Sequence, residues 1–131
     1  MLIDSDVLIW FLRGNQKAVT RLNELSKIKI STITYMELVQ GMQNKRELQA
    51  LHQTIKMFQW EVILLDNTIS QYAMNYVETF FHSHALRLAD ALIAATAVHH
   101  ELTLLTANNK HYQMIKELEI EIFRPESQYR K

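Results

Sequence analysis

Short apolar runs alternate along the chain with longer segments whose hydrophobic residues recur at helical spacing. The short runs predict strands, and the longer segments predict helices. The predicted strands are 2–3, 28–31, 61–65, 102–105 and 120–123. The predicted helices are 7–12, 16–26, 31–44, 44–59, 67–81, 88–100 and 109–117.

This alternation of strands and helices predicts the fold class. A helix between two strands indicates a crossover connection, which makes the strands parallel, and parallel sheets are covered by helices on both faces. We therefore predict an α/β protein, a three-layer α/β/α sandwich with a central, mainly parallel twisted sheet. The 131 residues suit one domain over 1–131, with the polar segment 124–131 as a loose tail.

Composition narrows the setting in which this domain works. Only two glycines and one proline occur, so turns are scarce and helix should dominate. The absence of cysteine excludes disulfides and thiolate metal sites, and no secretory signal is visible, which together favour a cytoplasmic protein. No apolar run approaches the ~20 residues that a membrane-spanning helix needs.

The charge balance excludes one mode of nucleic-acid binding. Fourteen Lys and Arg residues balance fourteen Asp and Glu residues, so the formal net charge is zero. Proteins that bind nucleic acid through broad electrostatic attraction are usually basic overall. Any contact with nucleic acid would therefore need a local basic rim or a bound cation.

Some acidic residues lie in apolar segments instead of among other polar side chains. Asp4 and Asp6 are the only charges in 1–12, and Asp90 is the only charge in 88–98. A buried carboxylate is costly unless it is paired, hydrogen-bonded or bound to a metal. Arg87 is the one basic residue placed to pair with them locally. The acidic residues singled out in this way are Asp4, Asp6, Glu37 and Asp90.

The predicted topology brings these residues together. Strand ends and helix starts meet at the carboxyl edge of a parallel sheet, where α/β proteins bind their ligands. Asp4 ends the first strand, whereas Glu37 and Asp90 lie early in their helices, and Thr106 and Asn108 follow the fourth strand. Clustered carboxylates need a compensating cation, and oxygen-only sites suit Mg²⁺ or Mn²⁺. Phosphodiester hydrolysis is the chemistry that such a site supports.

Four segments in order resemble the motifs of the PIN-domain family, and within it the VapC-like toxins of type II toxin–antitoxin systems. They are 2–9, 31–41, 88–97 and 105–112, so the resemblance runs from residue 1 to about residue 112. Each motif is short, but four in order with fitting separations are a strong signal. The first three motifs place the family's acidic residues at Asp4, Glu37 and Asp90.

The resemblance implies a PIN-like fold and an Mg²⁺- or Mn²⁺-dependent endoribonuclease that is the toxin of a toxin–antitoxin pair. In that reading Asp4, Glu37 and Asp90 are catalytic and hold the metal. Asp6, Thr106 and Asn108 support them. The implied partners are the RNA substrate, a second copy in a homodimer, and a small antitoxin whose chain lies across the active-site groove.

One departure from the family concerns the fourth motif. The family often has an acid at the position of Asn108 or of His111, and neither residue here is acidic. We therefore expect one firmly bound ion, and a second only together with RNA.

Two other functions fit parts of the sequence. Asp4 and Asp6 after a strand also suit a haloacid-dehalogenase-like phosphatase, in which Asp4 would be the nucleophile and form a phosphoryl-aspartate. A third class is a non-catalytic RNA-binding PIN domain whose site has decayed at Asn108. In that case RNA would bind without metal-dependent cleavage.

Structural roles compete with the functional ones at single residues. Asp6 could cap the first helix, and Thr34 with Glu37 fits a capping box. Asp90 gains from its place near a helix N-terminus. The histidines have no spacing typical of a zinc site, so surface positions are expected for them; they include His82, His84, His99 and His100.

Overall fold

Five short strands pair side by side in parallel at the centre of the molecule. The computed structural model describes residues 1–83 and 85–126. Within these residues the sheet order is β3-β2-β1-β4-β5, and every neighbouring pair is parallel. The strands are β1 (Leu2–Ile3), β2 (Lys29–Ser31), β3 (Glu61–Ile63), β4 (Leu104–Thr106) and β5 (Ile120–Ile122).

Six α-helices connect these strands in the described residues, and most begin at a side-chain cap. Five of the residues that precede a helix accept a hydrogen bond from a backbone N–H of its first turn, as N-cap residues do: Asp4, Asn15, Ser31, Asn44 and Asp66. The helices are α1 (Ser5–Leu12), α2 (Gln16–Asn23), α3 (Thr32–Gln40), α4 (Lys45–Phe58), α5 (Asn67–Phe80) and α6 (Leu88–His99).

Alternate residues of the central strands point into two hydrophobic cores. Leu2 and Leu104 pack with α5 and α6 on one face, whereas Ile3 and Leu105 pack with α1, α2 and α4 on the other. All four side chains are fully buried, and burial of each contributes about 1.5–3 kcal/mol. The predicted three-layer α/β/α arrangement is therefore confirmed, and the sheet is parallel throughout.

The helix predicted over 109–117 is wrong. Only a 3-10 turn forms there, at Asn109–His111, and further turns follow it. The buried residues of this segment are Tyr112, Ile115 and Leu118, which recur every third position. The backbone N–H of each of these three residues donates to the carbonyl three positions earlier, which is the pattern of 3-10 turns and not of an α-helix. Tyr112 points into the core as a result.

Other elements differ from their predicted bounds at the ends. β3 ends at Ile63, because its partner β2 ends at Ser31 where α3 begins. β4 starts later than predicted, because Glu101 adopts a left-handed φ of 56° and Leu102 still donates to the carbonyl of Ala97 at the end of α6.

The chain end packs against α2 as far as it is described. Asn15 Nδ2 donates to the Pro125 carbonyl at 3.2 Å, and Lys17 Nζ donates to the Glu126 carbonyl at 2.8 Å. An ion pair between Arg21 and Glu121, 2.6 Å apart, joins α2 to β5 and lowers the pKa of the Glu121 carboxyl. The rest of the predicted tail, 127–131, lies outside the described residues.

In the part that is described, no helix is long and apolar enough to cross a membrane.

Candidate active site at the carboxyl edge of the sheet

Asp4 and Thr106 meet where the neighbouring strands β1 and β4 end. Asp4 follows β1 directly and is the N-cap of α1, since its Oδ1 accepts from the Ser5 backbone N–H at 2.8 Å. Thr106 is the last residue of β4, and its hydroxyl donates to Asp4 Oδ2 at 2.8 Å. The strand-to-helix turn and the adjacent strand therefore fix both oxygens of Asp4.

Burial dominates the electrostatics of Asp4. The residue is 5% exposed, and loss of hydration raises the pKa of its carboxyl. The nearby Asp90 raises this pKa further, whereas the hydrogen bonds from Thr106, Tyr112 and the Ser5 backbone lower it. These donors stabilise the ionised form in part, and the net pKa stays above its ordinary value.

Tyr112 links Asp4 to Asp90. Its hydroxyl lies 2.9 Å from Asp4 Oδ2 and 3.4 Å from Asp90 Oδ1, and Tyr112 is 1% exposed. Burial and the two carboxylates raise the pKa of this phenol well above its usual range, so it remains a donor. Two acids from different elements therefore share one buried hydroxyl.

Asp90 lies in the first turn of α6, facing two groups that carry or can acquire positive charge. Its Oδ2 accepts from the Arg87 backbone N–H at 3.0 Å, which is half of a capping box. The Arg87 Nε and the His111 Nδ1 each lie 3.4 Å from the same oxygen. The Arg87 side chain is 66% exposed, so solvent weakens its ion pair. Asp90 therefore has the position suggested from the sequence, near a helix N-terminus, where the helix dipole stabilises a carboxylate.

Asp6 has one satisfied oxygen and one unsatisfied oxygen. Its Oδ2 accepts from Asn108 Nδ2 at 2.8 Å and from the Ala107 backbone N–H at 3.1 Å. Its Oδ1 is buried and has no hydrogen-bond partner. Burial, followed by the charge of Asp4, raises the pKa of Asp6 to about 7. Capping of α1 by Asp6 is wrong, because Asp4 is the cap.

Glu37 enters the cluster from α3. Its Oε1 accepts from the Ser5 hydroxyl at 2.9 Å, and Ser5 follows Asp4. The capping box suggested for Thr34 and Glu37 is wrong, because Ser31 is the N-cap and accepts from the Thr34 backbone N–H. Glu37 also borders a groove of about 530 Å³ beside the cluster.

The six residues proposed from the sequence form one connected cluster. Asp6, Thr106 and Asn108 contact one another or Asp4 directly, Asp90 is connected through Tyr112, and Glu37 through Ser5. Sequence reasoning missed Tyr112, Ser5 and the contact of His111 with Asp90. The available signal for Tyr112 was its apolar partners Ile115 and Leu118 at a spacing of three residues.

The side chains present fit a hard divalent cation. Four carboxylates supply only oxygen donors, which Mg²⁺ and Mn²⁺ prefer. The unsatisfied Oδ1 of Asp6 and the raised pKa values of Asp4 and Asp6 indicate negative charge that the protein itself does not neutralise. A bound cation would remove this imbalance.

Comparison with known proteins gives the family. The family described as "PIN domain" matches residues 1–117. Ribonuclease VapC10 of Mycobacterium tuberculosis is 34% identical over 124 residues, which cover 90% of this chain and 90% of that protein. Ribonuclease VapC1 of Methanocaldococcus jannaschii is 29% identical over 124 residues, covering 94% and 86% respectively.

A solved structure supports the same assignment. The chain superposes on the structure of a toxin–antitoxin complex from Klebsiella pneumoniae with a TM-score of 0.73 and 27% identity, covering 95% of this chain and 97% of that one. The family match, the relatives and the all-parallel fold agree. This chain belongs to the PIN-domain family, and its relatives there are VapC ribonucleases.

Proposed function

We propose that this chain is a metal-dependent endoribonuclease that hydrolyses RNA phosphodiester bonds and is the toxin of a toxin–antitoxin pair. The observation that carries the proposal is the connected cluster of Asp4, Asp90 and Glu37 at the carboxyl edge of the sheet. The ribonuclease names of its relatives support the same reaction.

In this proposal Asp4, Glu37 and Asp90 hold Mg²⁺ or Mn²⁺, and Asp6, Thr106 and Asn108 support them. The cation, when bound, lowers the pKa of a water molecule and stabilises negative charge on the scissile phosphate. The carboxylates by themselves would repel RNA phosphates.

The chain's own residues orient the acids. Thr106 and Tyr112 both donate to Oδ2 of Asp4, and the Ser5 backbone N–H donates to its Oδ1. Asn108 and the Ala107 backbone hold Asp6 through one oxygen, so its buried Oδ1 is free for a ligand. The residues near the acids therefore fix the carboxylates before any substrate binds.

We assign the groove beside Glu37 to an antitoxin segment. Ile9 and Leu12 line it and are 39% and 41% exposed, and Arg13 and Glu47 add charge at its border. An extended chain with apolar side chains fits this lining. A segment bound there would pass next to Glu37 and obstruct RNA. The Klebsiella pneumoniae structure on which this chain superposes is a toxin–antitoxin complex, which supports such a partner.

We also propose a homodimer, as the resemblance implies. Three large apolar side chains on or near α5 and α6 are strongly exposed: Met74 at 61%, Phe81 at 72% and Leu88 at 72%. Apolar surface of this kind is typical of protein interfaces.

A phosphatase of the haloacid-dehalogenase type has less support, because the PIN-domain match over residues 1–117 and the ribonuclease relatives favour a nuclease. Such a phosphatase would form a phosphoryl-aspartate at Asp4, which the proposed nuclease would not. The remaining alternative, a non-catalytic RNA-binding domain, differs from our proposal in one measurable property, which is cleavage.

The test is incubation of purified protein with total bacterial RNA in Mg²⁺ or Mn²⁺. Discrete fragments should form, and both EDTA and the Asp90→Asn substitution should abolish them. Glu119→Gln, an exposed residue just before β5 at the opposite edge of the sheet, is the matched control and should leave cleavage unchanged. Cleavage that survives both EDTA and Asp90→Asn would refute a metal site at Asp90. RNA binding without any cleavage would favour the non-catalytic alternative.

A further inference from the structure

A second group of potential ligands lies at the far end of α6. Asp66 precedes α5, and His99 and His100 close α6. Each offers a ligand atom, and the three atoms lie within 4.8 Å of one another. From the helical rise this group is roughly 14 Å from Asp90 along the axis of α6. The histidines were expected at the surface, and His82 and His100 are exposed, while His84 lies outside the described residues. The packing of α5 against α6 brings His99 and His100 to Asp66.

The carboxylate of Asp66 is already oriented. Its Oδ1 accepts from the Ile69 backbone N–H at 2.8 Å, as part of the cap of α5. Its Oδ2 lies 3.6 Å from His99 Nε2, which is too far for a hydrogen bond. Two ligand atoms of one tetrahedral zinc ion are about 3.4 Å apart, given bonds of 2.0–2.1 Å. The gap between Asp66 and His99 therefore suits a shared metal ion better than a direct contact.

The surrounding charges favour a cation. Among residues 1–83 and 85–126, His99 is the only basic side chain within ion-pair distance of Asp66. The carbonyl end of α6 adds partial negative charge beside both imidazoles. His99 and His100 are in edge-on contact, with ring centroids 4.8 Å apart, so a small movement brings both nitrogens to one ion.

We propose that Asp66, His99 and His100 bind a zinc-class transition-metal ion, with water completing the coordination. Two imidazoles and one carboxylate suit Zn²⁺, Ni²⁺ or Cu²⁺, whereas the carboxylates around Asp4 suit Mg²⁺ or Mn²⁺. The ion joins the start of α5 to the end of α6. It stabilises the helix pair that carries Asp90 without taking part in the reaction there.

The experiment is a calorimetric titration of the full chain with Zn²⁺ in an excess of Mg²⁺, which competes with zinc for the carboxylate site. Wild-type protein should bind one zinc ion, and zinc should raise its Tm by about 5 °C or more. His99→Gln and His100→Gln should each weaken zinc binding at least about tenfold. Asp66→Asn should do the same, and Asn keeps the helix cap, so this variant folds.

Two control variants separate this site from other zinc binding. His82→Gln removes a histidine outside the group, and Asp90→Asn removes a carboxylate of the proposed nuclease site. Both should bind zinc like the wild type. Unchanged affinity in Asp66→Asn and His99→Gln would overturn the proposal, as would loss of zinc binding in Asp90→Asn. The titration does not depend on RNA cleavage, so the two proposals fail or succeed separately.

Discussion

The Tyr112 hydroxyl lies 2.9 Å from Asp4 Oδ2, so a residue from the second half of the chain directly contacts the first acidic residue. The contact is buried, and the phenol's pKa is raised well above its usual range by burial and by the neighbouring carboxylates. Tyr112 therefore stays protonated at neutral pH, and its hydroxyl donates a hydrogen bond to Asp4. Its role is to orient Asp4 and not to transfer a proton.

Tyr112→Phe tests this role, because it keeps the ring and removes only the hydroxyl. The variant should lose about 1–2 kcal/mol in the free energy of unfolding, since Asp4 loses a buried donor. RNA cleavage should fall about 10–100-fold, as when other outer partners of metal ligands are removed. Urea melts and single-turnover cleavage measure the two effects. Tyr72→Phe, on the exposed side of α5, is the control, and equal behaviour of the two variants would contradict the assignment.

Glu37→Gln separates catalysis from stability. Glu37 is partly exposed, and Gln can still accept from the Ser5 hydroxyl, so the free energy of unfolding should change by less than about 0.5 kcal/mol. The cleavage rate should fall at least about 100-fold, because a carboxylate of the site has become neutral.

Glu47→Gln is the matched control for Glu37→Gln, because both residues line the same groove. It should leave the cleavage rate within about twofold. A Glu37→Gln protein as active as this control would remove Glu37 from the proposed site.

The acidic cluster was predictable because of where its charges stand in the sequence. Asp4 and Asp90 each lie in an apolar segment, and a parallel sheet brings strand ends and helix starts to one edge. Tyr112 was not predictable in the same way. Its segment was predicted to be α-helical, and the 3-10 turns that point its ring toward Asp4 depend on packing against the core.

Contacts between elements that are distant along the chain could not be predicted from the sequence either. Asp66 caps α5, as an Asp before a helix commonly does, but its approach to His99 depends on how α5 packs on α6. Spacing along the chain carries no information about that packing. The strand order was likewise fixed only by the structure, since alternating strands and helices fit several orders.

The raised pKa of Asp6 leads to a prediction for how the free energy of unfolding of the metal-free protein depends on pH. Its pKa is raised to about 7 in the folded state, against an ordinary value of about 3.9 in the unfolded chain. Between these values the folded state binds more protons, so the free energy of unfolding should fall as pH rises from about 4 to about 7. The fall attributable to Asp6 should be about 1–3 kcal/mol.

Asp6→Asn should flatten this dependence and make the metal-free protein more stable than the wild type at neutral pH and above. Urea melts in EDTA across the pH range measure the slope. Glu119→Gln, on the surface just before β5, should keep the wild-type slope. If Asp6→Asn also kept the wild-type slope, the raised pKa of Asp6 would not be the cause of the pH dependence.

Asn108→Asp tests the departure in the fourth motif. Asn108 Nδ2 now donates to Asp6 Oδ2 at 2.8 Å, and an aspartate there would place two carboxylates in contact. At pH 8 in EDTA the variant should lose about 1–3 kcal/mol in the free energy of unfolding, through the lost hydrogen bond and the new repulsion. Mg²⁺ or Mn²⁺ should restore more stability than it adds to the wild type, because an extra carboxylate faces the cation. Asn109→Asp adds the same charge one residue further on and should show neither effect. If the melts of Asn108→Asp matched those of Asn109→Asp both in EDTA and in Mg²⁺ or Mn²⁺, Asn108 would not lie close enough to contact the cation.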